Sequence, residues 1–207
     1  MSPTGALDVV MSRTRIAVRA RDAIVVMPED VNAMNAWAAV ERPRFAARRR
    51  FLRATLARAM SVPEDSIRFS YGDDERPFLP ASHMVFSAAH DGPWYVVVFA
   101  LGRGARLGVD IQRISLRTRI DDVLESTFAP VDADAIRHLA PARRRRAFFR
   151  AWVRYEAIVK ARGGGLVIPF EPLADMGREF HVQEFVIGRN CVGAIAADRP
   201  FVVRSVL

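Results

Sequence analysis

The sequence predicts an α+β fold in which each half of the chain contributes β-strands and long helices. Short runs rich in apolar or β-branched residues, bounded by turn-forming residues, are typical of strands and begin each half. Longer stretches with apolar residues three and four positions apart are typical of amphipathic helices. The chain has 207 residues, 51% of them hydrophobic, which is enough for one substantial core or two small ones.

The first half is predicted to contain several short strands and two helices. The strand segments are 14–18, 23–27, 66–71, 83–87 and 94–101. The last two of these are joined by a turn at 91–93 and should form a hairpin. The helices come from one periodic stretch over 31–60. Pro43 should divide this stretch, because a proline lacks the N–H that a helix interior needs.

The second half begins after a Gly- and Arg-rich linker at 102–106 and is predicted to mix strands and helices in the same way. The strand segments are 107–111, 179–187, 192–196 and 201–206. The helical segments, punctuated by Pro130 and Pro141, are 120–126, 132–139 and 144–162. In the last helix the core stripe consists of Phe148, Trp152, Tyr155 and Val159. We therefore divide the chain into an N-terminal subdomain, 1–103, and a C-terminal subdomain, 104–207.

Composition excludes several classes of protein. No apolar run approaches the roughly 20 residues that span a bilayer, and Asp8, Arg13 and Arg15 interrupt any segment resembling a signal peptide. The single cysteine, Cys191, cannot form an internal disulfide, and no Cys/His group has zinc-ligand spacing. We therefore expect a cytoplasmic protein without a zinc site and without membrane contact.

The formal net charge of +8 indicates an acidic partner but does not say which one. A nucleic acid, an acidic protein and a polyphosphate ligand are all compatible with it. Arginines cluster at 48–50 and 143–146, and neither run alternates with aromatic residues as in a binder of single strands. Each run is also compatible with an ordinary solvated helix face.

Two segments predict a site for a metal ion and a phosphate. In the strand at 108–112, Asp110 and Gln112 are two positions apart and therefore point to the same face. In the helix at 144–162, Glu156 and Lys160 lie one turn apart at the edge of the core stripe, and we expect neither Asp110 nor Glu156 to pack in the core. Oxygen ligands of this kind suit a hard cation such as Mg²⁺, and the lysine could hold a phosphate beside it.

Lys160 is unusual because every other basic residue among the 31 is arginine. A compact ammonium on a flexible stem is not interchangeable with a planar guanidinium at a tight site, which favours a functional role. The alternative is sequence drift, or a surface pair with Glu156 worth roughly 0.2–0.5 kcal/mol.

With these residues placed, the chain resembles the 4′-phosphopantetheinyl transferases of the larger, surfactin-type family. The strand GVDIQ at 108–112 is similar to the family's G-[IV]-D-[IVL]-E, and WVRYEAIVKARGGGL at 152–166 is similar to its W-x-x-K-E-A-x-x-K-x-x-G-x-G-L. Weaker similarities are RRFLRATLAR at 49–58, ERPFL at 75–79, FSAAHDG at 86–92 and TFAP at 127–130. Together they cover about residues 40–170 in the family's order, and this ordered set is far more specific than any one segment.

The resemblance implies two similar α+β subdomains forming a pseudodimer, with the substrate coenzyme A in the cleft between them. It implies Mg²⁺-dependent transfer of the 4′-phosphopantetheine arm of coenzyme A to a serine of an acidic acyl or peptidyl carrier protein. The other product would be 3′,5′-ADP. We expect a monomer with no nucleic-acid partner.

The resemblance also assigns metal-binding and catalytic roles. Asp110, Gln112 and Glu156 would hold the Mg²⁺, and Asp110, Glu156 and Lys160 would form the catalytic group. Lys160 would stabilise negative charge that grows on the leaving group. Glu156, or a water on the metal, could accept the serine proton.

For the coenzyme, Arg49 and His90 match positions that bind the 3′-phosphate, and Arg76 matches one near the adenylate phosphates. Lys160 would contact a phosphate as well. Taken alone, the histidine could equally be an ordinary loop residue, and Arg49 an ordinary solvated residue of a helix.

Three residues depart from the family pattern. Gln112 stands where many members have a third acidic ligand, Ala89 where a serine usually meets the coenzyme, and Tyr155 where the K-E-A triplet has lysine. They raise the alternative of a non-catalytic or weakened relative that binds coenzyme A or a carrier protein. A nucleic-acid-binding protein is the third hypothesis, and charge is its only support.

Overall fold

The computed structural model describes residues 6–16, 27–72, 76–80, 82–163 and 171–206. The strands in these ranges are β1 (Leu7–Arg15), β2 (Ser70–Tyr71), β3 (Pro77–Phe78), β4 (Met84–Asp91), β5 (Trp94–Leu101), β6 (Leu107–Arg113), β7 (His181–Ile187), β8 (Cys191–Ala197) and β9 (Phe201–Val206). The helices are α1 (Val31–Asn35), α2 (Arg42–Met60), α3 (Ile120–Thr127), α4 (Pro130–Arg137), α5 (Pro141–Arg162) and α6 (Leu173–Glu179), and short 3₁₀ turns lie at Pro28–Asp30 and Glu64–Ser66.

The strands form two main sheets. The first has the order β4-β5-β1-β9, in which β1 is antiparallel to β5 and parallel to β9. The second has the order β6-β8-β7 and is antiparallel throughout. The last strand of the chain, β9, thus joins the sheet that contains the first strand. A separate short ladder pairs β2 with β3.

A long helix covers one face of each main sheet. Helix α2 packs Leu52 and Leu56 against Tyr95 and Val97 of β5. The small residues Ala157 and Ala161 of α5 lie in a core with Ala194 of β8. The opposite faces of the two sheets share a third core, which includes Val9, Val96, Val98, Val109, Ile111 and Ile195. Because both sheets contribute to this core, β4 and β6 are brought side by side.

Proline and glycine define the limits of the two long helices. Pro43 lies in the first turn of α2, where a missing N–H costs nothing, and it separates α2 from α1 as the sequence predicts. Pro141 occupies the same kind of position at the start of α5. At the other end of α5, Gly163 has a φ of 75°, a left-handed conformation that glycine adopts without strain. The predicted residues Gly165 and Leu166 lie outside the described ranges.

The α+β class is confirmed, together with the hairpin β4–β5, the strand β6 and the helices α2 to α5 close to their predicted positions. Strand β1 begins at Leu7, well before the predicted start at 14. Its charged Asp8 faces outwards and pairs with Arg204 of β9, while Leu7, Val9 and Met11 face the core. The predicted strand 23–27 lies outside the described residues except for Met27. The pseudodimer and the boundary between 103 and 104 stay predictions.

Two other segments differ from the prediction. Of the predicted strand 66–71, only Ser70 and Tyr71 pair, although Ile67 and Phe69 are buried beneath α2 and so produce the apolar pattern. Helix α6 is missing from the prediction, because its seven residues bury only Leu173 and Met176 and give too short a periodic signal.

Candidate active site

A cavity of about 370 Å³ lies between the helices α1 and α2, the strands β4 and β5, and the C-terminal part of α5. It brings together all the side chains that the sequence assigns to coenzyme A. They are Arg49, Arg76, His90 and Lys160. The cavity therefore has a strongly basic lining, and Lys160 connects it to the carboxylates on β6 and α5.

At this junction, Lys160 donates from Nζ to Oδ1 of Asp110 over 2.7 Å. The side chain of Asp110 is only 7% exposed and that of Lys160 is 20% exposed. Gln112 donates from Nε2 to the other carboxylate oxygen, Oδ2, over 3.5 Å, so both predicted strand residues do face the same way. The expectation that Asp110 avoids the core is wrong, because α5 covers the face of β6 from which Asp110 projects.

Gly108 explains how α5 comes so close to β6. A Cβ atom at this position would lie 2.0 Å from the carbonyl oxygen of Ala157 and 2.6 Å from the nitrogen of Ala161. These distances are far below contact, so only a glycine lets the helix backbone rest directly on the strand. This close approach places Glu156, which precedes Ala157, and Lys160, which precedes Ala161, beside Asp110.

Side chains of β4 fix the other edge of β6. Ser87 accepts a hydrogen bond at Oγ from the N–H of Val109 over 3.1 Å, and the carboxylate of Asp91 accepts one from the N–H of Arg113. The two pairs have the same offset along the chain, so the strands run parallel, with the side chains acting in place of carbonyl groups. Asp110 is thereby held between two fixed elements.

The two carboxylates influence each other electrostatically. Burial raises the pKa of Asp110, while the charge and hydrogen bond of Lys160 oppose that shift. Burial, followed by the charge of Asp110, raises the pKa of Glu156, and Lys160 and Arg76 act in the opposite direction. A pair of partly desolvated carboxylates is a site that favours added positive charge.

Asp30 organises the basic wall of the cavity, and the sequence gives no sign of this role. It is fully buried. Its Oδ2 atom forms an ion pair with Nη1 of Arg53 at 2.6 Å, and its Oδ1 atom lies 3.3 Å from Nε of Arg49. The hydroxyl of Tyr71 also donates to Oδ1. The predicted coenzyme residue Arg49 thus has an internal counter-ion.

Arg48 and Trp37 complete the wall and are also missing from the sequence prediction. The Arg48 guanidinium lies over the Trp37 ring, 5.1 Å from its centroid, and the same ring is 5.7 Å from that of His90. Helical spacing could have revealed that Arg48 is buried, since Phe45 precedes it by three positions and Leu52 follows by four.

His90 meets solvent through the cavity, although protein surrounds it on its other sides. Desolvation, followed by the charges of Arg48 and Lys160, lowers its pKa to about 4. In the ligand-free protein at neutral pH the ring is therefore uncharged. An anion placed beside it would favour the protonated form.

Arg76 links the two halves of the site. It donates from Nη1 to the carbonyl oxygen of Lys160 over 3.0 Å, near the C-terminal end of α5 where helix carbonyls lack helical partners. Its charge also opposes the rise in the pKa of Glu156 that burial and Asp110 cause. Arg76 can therefore contact an anion in the cavity while its hydrogen bond holds the last turn of α5, which carries Lys160.

Among the described residues, no three His, Cys, Asp or Glu side chains come together to hold a metal ion. The candidate metal site consists instead of two carboxylates and the amide of Gln112. Within the same ranges no helix is long and apolar enough to cross a membrane.

Comparison with known proteins gives consistent results. The model of the 4′-phosphopantetheinyl transferase superfamily matches residues 106–204, a stretch that contains Asp110, Gln112, Glu156 and Lys160. The 4′-phosphopantetheinyl transferase HetI of Nostoc is 25% identical over 169 residues, which are 75% of this chain and 70% of that protein. The 4′-phosphopantetheinyl transferase of Bacillus subtilis is 25% identical over 121 residues, 58% of this chain and 52% of its own length.

The 4′-phosphopantetheinyl transferase AcpT of Salmonella typhi is 30% identical over 113 residues, 54% of this chain and 56% of that protein. The chain thus spans little more than half the length of several curated relatives. These relatives are named as the enzyme class that the motifs predict. The surfactin-type subfamily stays a prediction.

Proposed function

We propose that this chain transfers the 4′-phosphopantetheine arm of coenzyme A to a serine of an acidic acyl or peptidyl carrier protein, releasing 3′,5′-ADP. The observation that carries the proposal is one cavity with an arginine- and histidine-lined wall that ends at Lys160, in contact with Asp110. Such a cavity suits a long ligand with phosphates at separate places. The family of the relatives supplies the identity of that ligand.

The reaction breaks the phosphoanhydride bond of coenzyme A and forms a phosphoester on the carrier serine. The serine oxygen attacks the phosphorus that bears the pantetheine arm, and 3′,5′-ADP leaves with the bridging oxygen. Catalysis of this kind depends on positioning and charge stabilisation more than on covalent help. In this chain Lys160 and Arg76 supply the positive charge.

The residues present fit a Mg²⁺ ion. Asp110 and Glu156 provide hard anionic oxygens, and Gln112 can turn its amide to present a third oxygen. Burial and then the charge of Asp110 raise the pKa of Glu156, and a divalent cation would relieve the repulsion between the two carboxylates. When bound, the ion would neutralise charge on the pyrophosphate.

Two other steps fall to residues of the chain. Glu156, whose pKa lies above its ordinary value because of burial and Asp110, is suited to accept the serine proton. Lys160 is free to exchange Asp110 for a phosphate oxygen, because its side chain is flexible and reaches the cavity. We expect the basic surface to attract an acidic carrier protein.

The second candidate function is a non-catalytic relative that binds coenzyme A or a carrier protein. Ala89 and Gln112 favour it. The register of β4 beside β6 places Ala89 opposite Ile111, where it offers no hydroxyl. Tyr155 does not favour it, since its ring packs in the core, 5.8 Å from that of Phe128.

Incubation with an apo carrier protein, coenzyme A and Mg²⁺, followed by mass spectrometry of the carrier, separates these functions. A gain of one phosphopantetheine mass supports the transferase. Binding of both ligands without any gain, across carriers of fatty acid, polyketide and nonribosomal peptide type, supports the non-catalytic relative. A nucleic-acid binder should do neither.

A further inference from the structure

Arg48 is a buried cation to which the protein offers little compensation. The residue is 6% exposed, and its Nη2 atom is buried without a hydrogen-bond partner. In the part of the chain that the structure describes, no carboxylate lies within ion-pair distance of it. Burial lowers the pKa of Arg48. The charge of Glu41 opposes this shift only from beyond ion-pair distance, and that carboxylate is held by Arg44 at 2.8 Å.

Its neighbour Arg49 is in a different electrostatic situation. The Arg49 Nε atom lies 3.3 Å from the fully buried carboxylate of Asp30, which Arg53 also binds. Arg49 therefore has a counter-ion in the absence of any ligand, although this nitrogen is not in hydrogen-bond geometry. A positive charge that is already neutralised gains less from a new anion than one that is not.

An uncompensated buried charge is strongly unfavourable unless something else supplies the opposite charge. Arg48 lines the cavity, and its guanidinium is oriented by the Trp37 ring on which it lies. The neutral His90 lies next to the same ring. Arg48 and His90 thus lie beside the same ring and line the same cavity, a suitable place for a phosphate with two negative charges.

We propose that Arg48, and not Arg49, provides the main positive charge that binds the 3′-phosphate of coenzyme A. Arg48 is then the residue that distinguishes coenzyme A from dephospho-coenzyme A, which lacks the 3′-phosphate. The identity of the ligand rests on the proposed function. The role of Arg49 is to build the wall by holding Asp30 together with Arg53.

Three consecutive arginines offer matched variants for the test: Arg48→Gln, Arg49→Gln and the exposed Arg50→Gln as control. Calorimetry should measure the affinity of each for coenzyme A and for dephospho-coenzyme A. Loss of a charged hydrogen bond should weaken coenzyme A binding by Arg48→Gln about 10- to 100-fold. The affinity of Arg48→Gln for dephospho-coenzyme A should change less than about threefold. Arg49→Gln should lose less affinity for coenzyme A than Arg48→Gln, and Arg50→Gln should have the affinities of the unaltered protein.

The thermal unfolding midpoint without added coenzyme distinguishes a binding role of Arg48 from a structural one, because only a structural role predicts a lower midpoint for Arg48→Gln. Removing an uncompensated charge should leave the midpoint of Arg48→Gln unchanged or raise it, whereas Arg49→Gln should lower it because Asp30 loses a partner. If Arg48→Gln fails to fold, Arg48 is structural and the inference is wrong. The inference is equally wrong if the affinity of this variant for coenzyme A is unchanged, or if both coenzymes are weakened equally.

The carrier modification assay keeps this inference separate from the proposed function. Modification of the carrier by the unaltered protein, with coenzyme affinity independent of Arg48, would overturn the inference and leave the function standing. Failure to modify any carrier, together with Arg48-dependent discrimination between the two coenzymes, would overturn the function and support the inference.

Discussion

Lys160 and Asp110 form an ion pair of 2.7 Å, so the one lysine of the chain neutralises a buried carboxylate. Each member of the pair is also assigned a ligand: the metal ion for Asp110 and a phosphate for Lys160. If Asp110 held the proposed metal ion, Lys160 would be freed towards the cavity, and if Lys160 held a phosphate, the Asp110 carboxylate would be freed for the metal. Binding of the two ligands should therefore be mutually favourable, by the same factor in both directions.

The ion pair predicts a stability effect. Lys160→Met should lower the free energy of unfolding at pH 7 by about 1–3 kcal/mol, a range reduced by the partial exposure of the lysine. The reason is that Asp110 loses the cation that opposes its burial. The loss should shrink as the pH falls, because protonated Asp110 needs no counter-ion. Urea unfolding at several pH values measures both effects.

A double-mutant cycle provides the control. Asp110→Asn in the Lys160→Met background should restore much of the lost stability, since no uncompensated charge then remains. Additive effects of the two substitutions would show that the residues do not interact in solution.

The carboxylates should be essential for transfer. Asp110→Asn and Glu156→Gln should each reduce turnover at low Mg²⁺ to near background, because each removes negative charge from the proposed metal site while keeping the size of the side chain. Asparagine is the better choice at position 110, since Asp110 is buried and alanine would leave a cavity. Mass spectrometry of the carrier measures turnover, and circular dichroism verifies the fold. Unchanged turnover in either variant contradicts the assignment.

Local patterns were sufficient to predict the elements that carry the site. The apolar strand β6, the amphipathic helix α5 and the hairpin β4–β5 are each specified by their own residues. Their meeting follows from the motifs, because Gly108 permits close packing and the family order places Asp110 near Lys160. The parallel pairing of β1 with β9 joins segments almost the whole chain apart and has no local signal.

The same limit explains the basic wall. Asp30 follows a proline in a short turn, where a surface position is the ordinary expectation, and only the packed structure shows it fully buried between Arg49 and Arg53. Arg48 is one of three consecutive arginines, and its helical spacing from Phe45 and Leu52 indicates that it is buried but not what surrounds its guanidinium. What distinguishes Arg48 from its two neighbours is its tertiary contact with Trp37, which lies in the segment before α2.

Gly108 should be intolerant of any side chain. Gly108→Ala would force β6 and α5 apart, since the new Cβ would lie 2.0 Å from the Ala157 carbonyl oxygen. We expect a loss of about 1–3 kcal/mol in unfolding free energy from overpacking. Because β6 carries Asp110 and α5 carries Glu156 and Lys160, their separation should also reduce turnover about 100-fold. Denaturant unfolding and the carrier assay measure the two effects.

Gly177 is the matched control for this substitution. It is exposed in helix α6 and has open space where a Cβ would be placed. Gly177→Ala should leave activity unchanged and stabilise the protein by about 0.5–1 kcal/mol. Equal behaviour of the two alanine variants would contradict the close packing of β6 against α5.

His90 should make the ligand-free protein sensitive to acid. Its pKa is about 4 in the folded protein, against an ordinary value of 6.5, so the unfolded chain binds more protons between these values. The stability that His90 contributes is therefore complete above about 6.5 and is lost as the pH falls towards 4. In thermal unfolding experiments, the stability of His90→Gln should therefore decline less over this pH range than that of the unaltered protein.

Coenzyme A tests the position of the phosphate in the same experiment. A phosphate beside His90 would raise the pKa of the ring, so saturating coenzyme A should remove much of the difference between the unaltered protein and His90→Gln. Dephospho-coenzyme A should leave the difference in place. If both coenzymes act alike, the 3′-phosphate binds elsewhere.

Gln112 gives the last prediction, because it makes the proposed metal site one charge less negative than a site with a third carboxylate. Its Nε2 atom lies 3.5 Å from Asp110 Oδ2, so residue 112 faces the carboxylate that would hold the metal. Gln112→Glu should therefore tighten Mg²⁺ binding in the absence of coenzyme A, where the pyrophosphate cannot supply the missing charge. With coenzyme A bound, the difference in Mg²⁺ affinity should become smaller, and turnover should be retained or increased. Calorimetry of Mg²⁺ against both proteins, with and without coenzyme A, measures this, and equal affinities in the absence of coenzyme would show that residue 112 has no part in the metal site.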